Sequence, residues 1–221
     1  MLQLIFTDVY AQKDLFPRGL ELMISELNVH SALNGREDMT YANTDGTPFL
    51  FPDFHEAVFS MKSGESYKIE MRYDEYADQM HIRLKGNIYG ISHPEQVASI
   101  KIDTLDFIYS LAVRNGGKAS GVYFLLKTDG KCKLLVKKRV LLKPAEPEKP
   151  YQPAEPAKFM PADDTYYLKV NDENAVLVRN KSQVLSVLGD KKEEVSKFIS
   201  SNKLGTKLSD LEKIVKYYNS L

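Results

Sequence analysis

Cysteine, net charge and long apolar runs are what this chain of 221 residues has least of. The single cysteine, Cys132, rules out a disulfide framework and a cysteine metal cluster. It falls at alternation spacing in a predicted strand with no activating neighbour pattern, so it reads as a buried structural thiol. Thirty basic side chains balance thirty acidic ones, and no excess of one sign points to a polyanion partner such as nucleic acid. No segment approaches the roughly 20 apolar residues that a membrane-spanning helix needs. Catalytic and nucleotide motifs are missing as well. There is no H-E-x-x-H, no G-x-S-x-G and no G-x-x-x-x-G-K, which leaves zinc-protease, serine-hydrolase and phosphate-loop chemistry without support.

Proline is concentrated instead. Six of the ten prolines (Pro144, Pro147, Pro150, Pro153, Pro156, Pro161) lie within residues 143–164, where Pro-Ala-Glu-Pro occurs twice. Proline locks φ and lacks an N–H, so this run extends no helix and fills no central strand. Its default is an extended polyproline-II strap of about 3.1 Å per residue, roughly 60 Å in all. Tyr151 and Phe159 within it favour a strap that ties two halves together over a free spacer.

Before the strap the pattern is β. In 67–73, Tyr67, Ile69, Met71 and Tyr73 alternate with Lys68, Glu70 and Arg72, the period-2 mark of a strand with one buried face. Similar segments at 57–61, 79–85, 88–91, 97–102, 105–111, 122–127 and 132–142 are separated by tight polar or glycine turns, which predicts a meander of antiparallel hairpins. Residues 127–143 carry seven basic side chains and one acidic, consistent with a basic strand packing beside acidic segments of its own chain. After the strap, 166–170 and 175–179 flank Asn171-Asp172-Glu173-Asn174 as a hairpin. Ser182, Asp190 with Glu193, and Ser209 with Glu212 then offer starts for short helices, and Gly189 a stop.

The expected fold is therefore α+β: an N-terminal antiparallel β meander forming a sandwich or partly closed barrel, a proline-rich strap, and a C-terminal β-hairpin followed by two to three short helices. The expected division is 12–142 for the β domain, 143–164 for the strap and 165–221 for the hairpin-plus-helices module. Ahead of them, Leu2-Gln3-Leu4-Ile5-Phe6 and the small residues Val9 and Ala11 suggest a truncated signal peptide over 1–11, cut before Gln12. The basic n-region is missing, which fits a Met1 internal to a longer signal peptide. No cysteine follows the site, which argues against a lipoprotein.

Candidate chemistry is thin. His30, His55, His81 and His93 have no metal-site spacing and read as separate surface or edge histidines. Asp74, Glu75 and Asp78 crowd one turn without the order of a calcium loop, and read as a solvated turn. Lys137, Lys138 and Arg139 have no stacking aromatics beside them and read as a solvated strand face. Tyr67, Tyr73, Tyr76, Tyr89, Tyr109 and Tyr123 either fill the core or line a pocket for an apolar ligand, with the filled core favoured. No residue is assigned a catalytic, cofactor-binding or metal-ligating role, and no cofactor is expected.

The tail from Tyr166 carries Tyr-Tyr-Leu-Lys-Val (166–170), Asp-Lys-Lys-x-Glu leading to Phe198-Ile199, and a closing Tyr-Tyr-Asn-Ser-Leu (217–221), preceded by Lys143-Pro144 and the prolines after it. Together with the 71–80 strand–turn–strand, these motifs resemble an uncharacterised family of exported Bacteroidetes proteins, across most of the chain. The resemblance implies export and this architecture, and brings no catalytic or ligand residues. The expected function is a non-catalytic, exported binding or scaffold module of the cell envelope, periplasmic or extracellular, with a protein partner. The alternative is a barrel-like carrier of a lipid or small hydrophobic ligand. An uncleaved N-terminus would instead place the protein in the cytoplasm.

Overall fold

The computed structural model describes residues 20, 22–26, 41, 44–114 and 117–221. The signal-peptide segment and His30 lie outside them. The strand order is β1 (Ile24–Glu26), β2 (His55–Met61), β3 (Ser66–Asp74), β4 (Gln79–Leu84), β5 (Asn87–Ile91), β6 (Val97–Ile102), β7 (Leu105–Val113), β8 (Ser120–Thr128), β9 (Cys132–Lys137), β10 (Val140–Lys143), β11 (Lys158–Pro161), β12 (Thr165–Val170) and β13 (Ala175–Val178). Helices α1 (Lys181–Val187), α2 (Lys192–Ser201) and α3 (Leu208–Asn219) close the chain. The fold is α+β, as the strand alternation and the helix signals near the C-terminus predict.

One eleven-stranded sheet runs β1-β5-β4-β3-β2-β6-β7-β13-β12-β9-β8, and an additional β7–β8 pairing closes its last five strands into a barrel. The partners are antiparallel except where β13 runs parallel to β7, with Ala175 opposite Ala112. Barrel closure removes one sheet edge altogether. The hairpin after the prolines therefore shares its sheet with strands before them: β12 pairs with β9 along six residues, from Thr165 opposite Lys137 to Val170 opposite Cys132.

Three clusters of buried side chains follow from the two faces of this sheet. Phe59, Met71, Tyr73, Met80, Ile82, Ile100, Phe107 and Leu125 fill the first, on the meander. The five barrel strands contribute Ala112, Val122, Phe124, Leu135, Tyr167, Ala175 and Leu177 to a second, and Phe124 meets Tyr167 edge-on at 4.9 Å. A third cluster joins Cys132, Leu134 and Leu168 on the barrel to Val184, Val195, Ile199, Leu211, Ile214 and Tyr218 on the helices. Full burial of each such side chain contributes about 1.5–3 kcal/mol, which lets helices of only 7–12 residues persist.

Several local expectations are corrected. The predicted strand 132–142 divides at Lys138-Arg139, because β9 loses its partner β12 at Lys137 and β10 takes β11 instead. The cap of α1 is Asn180, whose side chain accepts from the Gln183 amide at 3.0 Å, and not Ser182. Asp190 starts no helix; its carboxylate accepts from the Tyr218 hydroxyl at 2.9 Å and pairs with Lys131 at 2.6 Å, which ties α3 to the β8–β9 turn. Ser209 lies within the first turn of α3, after a capping position held by Lys207.

Candidate functional site

The turn between β3 and β4 brings several polar groups together, and it is not the solvated turn that its acids suggest. Asp74 is 1% exposed. Its carboxylate accepts from the Tyr76 and Ala77 amides at 2.9 and 2.8 Å and from the Tyr41 hydroxyl at 2.9 Å. Burial raises its pKa against these bonds, which favour the charged form. Asp78, at φ 55°, turns its carboxylate the other way. There it accepts from the Tyr73 hydroxyl at 2.6 Å, from the Tyr123 amide at 3.3 Å and from the Lys137 ammonium.

Lys137 is the second correction. It is 4% exposed, bonded to Asp78 and to the Tyr73 hydroxyl. Burial pushes its pKa down while the Asp78 carboxylate opposes the shift. Lys138 pairs with Asp164 at 2.9 Å, and of the three basic residues only Arg139 lies on an exposed face. The basic strand thus ends in a brace that joins barrel to meander.

The described histidines do not converge. His55 contacts Asp103 at 2.8 Å and His93 contacts Glu95 at 3.2 Å, both pairs exposed enough for water to compete. His81 is buried against Phe49, and desolvation takes its pKa down to about 4. Opposite it in register, Arg72 has its guanidinium 3.5 Å from the Phe49 ring centre and 4.5 Å from that of Phe54, and donates to the Pro52 carbonyl at 3.1 Å. These contacts clamp the 47–54 loop on the sheet. No group of three or more His, Cys, Asp or Glu among the described residues is placed to hold a metal ion.

The tyrosines mostly fill space. Tyr73 and Tyr123 are buried, and Tyr67 stacks on Phe59. The Tyr109 hydroxyl occupies the place that a Cβ at Gly121 would take, so this strand position needs glycine. Cys132 is buried and its thiol is pushed up to about 12 by desolvation, which leaves it inert.

The feature that no motif flagged is the shape of the proline segment. It does not span the molecule; it folds back on itself. β10 and β11 pair with Lys143 opposite Lys158, and the same register continues outward as bridges between Glu146 and Glu155 and between Lys149 and Gln152. Each bridge is a reciprocal pair of backbone bonds, at 2.8 and 2.9 Å for Glu146–Glu155 and 3.0 and 2.9 Å for Lys149–Gln152. Every third residue is bonded, and each bonded residue from Lys143 to Glu155 stands immediately before a proline. That spacing is the three-residue turn of polyproline II. The residue before a proline is itself held extended, so these positions are the natural ones for cross-arm bonds. Pro150 and Tyr151 make the tip, with Tyr151 at φ 66° and fully exposed.

The base of this arm is anchored on the turn described above. Phe159 is 3% exposed, with ring centres of Tyr41 and Tyr76 at 5.2 and 5.3 Å. Asp45 donates to the Ala157 carbonyl and accepts from the Phe159 amide, both at 2.8 Å. A Cβ on Gly46 would come within 2.8 Å of the Phe159 carbonyl, so glycine permits this approach. Of the two aromatic residues that suggest tying, Phe159 is therefore the anchor and Tyr151 is free of the core.

No protein-family model, no curated protein and no solved structure matches this chain.

Proposed function

We propose that the protein is a non-catalytic binding or scaffold module of the cell envelope, exported to the periplasm or beyond, which engages a protein partner. The observation that supports this most is the contrast between its two polar regions. Asp74 and Lys137 are buried, and with the part-buried Asp78 they are taken up by bonds within the fold: Asp74 with the Tyr41 hydroxyl and two turn amides, Lys137 with Asp78. The proline arm is exposed along residues 147–156 and fixed at its base. Export rests on the Val9-Tyr10-Ala11 site and on the family resemblance. No helix among the described residues is long and apolar enough to cross a membrane.

The alternative, a carrier of a lipid or small hydrophobic ligand, draws on the barrel. It has the weaker support, because Val122, Phe124, Leu135, Tyr167 and Leu177 pack on one another where a ligand would sit. Native mass spectrometry of the protein from its own source tests both parts. The expected result is a chain beginning at Gln12, holding a protein partner in fixed ratio and releasing no small molecule in organic solvent. A retained Met1 would remove the export reading, and a released lipid would put the carrier first.

A further inference from the structure

We propose that the arm over residues 143–158 is a preformed polyproline-II ligand, and that its occupant is a groove lined by aromatic side chains on a partner protein. This rests on the binding-module reading and names the partner's chemistry. The arm divides by its three-residue period. Lys143, Glu146, Lys149, Gln152, Glu155 and Lys158 form the bonded row, and their side chains neutralise one another: Lys143 contacts Glu155 at 2.6 Å and Glu146 at 3.2 Å, while Lys149 contacts Glu146 at 3.1 Å. Apart from Glu148 and Tyr151, the remaining rows are proline and alanine. Successive prolines on one arm are about 9 Å apart along the axis, the repeat at which ridge-and-slot recognition of polyproline II operates.

Three observations narrow the occupant. Residues 143–158 hold three lysines and three glutamates, so no net field selects a nucleic acid or an anionic membrane. Pro144, Pro147, Pro150, Pro153 and Pro156 are all exposed, and the Tyr41 and Tyr76 rings meet the chain at Phe159, just past the arm's base. The cross-arm bonds have already ordered the segment, so a partner meets a rigid ridge and loses less entropy than with a free proline-rich tail.

The test places photoreactive benzoylphenylalanine at position 151 of the full chain and irradiates it in the source cells. The expected result is one discrete protein adduct whose linked peptide carries at least two aromatic residues. Its yield should fall at least tenfold when Pro147→Ala and Pro153→Ala are combined, with amide protection at Glu146 and Glu155 retained to show that the arm persists. Glu148→Ala should leave the yield unchanged. An adduct that survives the proline substitutions, one that depends on Glu148, or one formed with phospholipid or a second copy of this chain would overturn the inference while leaving a binding surface in place. No adduct from position 151, nor from the same label at position 148, would overturn both the inference and the binding-module reading.

Discussion

Lys137 and Asp78 differ in what each leaves behind when removed. Asp78→Ala strands an ammonium that is 4% exposed, and breaking a buried pair from one side costs about 3–5 kcal/mol. Lys137→Met leaves a part-exposed carboxylate that still accepts from the Tyr73 hydroxyl and the Tyr123 amide, so its expected cost is the smaller one, about 1.5–3 kcal/mol for the lost charge-assisted bond. Urea titration of the two variants should show this asymmetry; equal losses would contradict the brace. His81 makes a second residue-scale prediction. With a folded pKa of about 4 against an ordinary 6.5, the unfolded chain takes up the proton first. Its contribution is full above pH 6.5 and is lost as pH falls toward 4, by about 3 kcal/mol over the whole window. The raised carboxyls of Asp74 and Glu75 act with the opposite sign, since acid favours their folded, neutral forms. Between pH 7 and pH 5 the wild type should lose about 2 kcal/mol more than His81→Leu, measured by urea titration at each pH. None of this burial was legible from single residues. A lysine at a strand end and acids in a turn are ordinarily solvated, and only the tertiary approach of β9 to the β3–β4 turn overrides that.

Strand positions were readable because alternation reports one buried face directly, and 97–102 coincides with β6 to the residue. Helix starts were not: Asp190 matches a capping pattern but bonds Tyr218 and Lys131 instead, and Ser209 matches one although α3 already begins at Leu208. The arm lies between these cases. Its prolines were plain, yet the signal for a hairpin was the three-residue spacing of Lys143, Glu146 and Lys149 mirrored by Gln152, Glu155 and Lys158, a symmetry that proline counting does not reveal. If the arm is braced as described, the Glu146, Lys149, Gln152 and Glu155 amides should exchange measurably more slowly than exposed chain, because each donates across the arm. Tyr151→Gly should slow them further, since glycine adopts the positive φ of the tip without the roughly 1 kcal/mol cost borne by a side chain. Unprotected amides in both proteins would leave only an extended strap.

For the whole molecule, the barrel takes three strands from before the prolines and two from after them. Cutting the chain between β11 and β12 would bare Leu134 and Leu168, each 0% exposed. Denaturation followed by tyrosine fluorescence and by circular dichroism should accordingly give one coincident transition. Two separable transitions would mean that the segments flanking the arm fold independently. The parallel contact of β13 with β7 has a further consequence for biosynthesis. The ring closes only when Ala175 reaches Ala112, so a growing chain holds β7, β8 and β9 as an open sheet until β13 has been made. Until then the Phe124 and Leu135 side chains, buried in the finished ring, lack their Tyr167 and Leu177 neighbours.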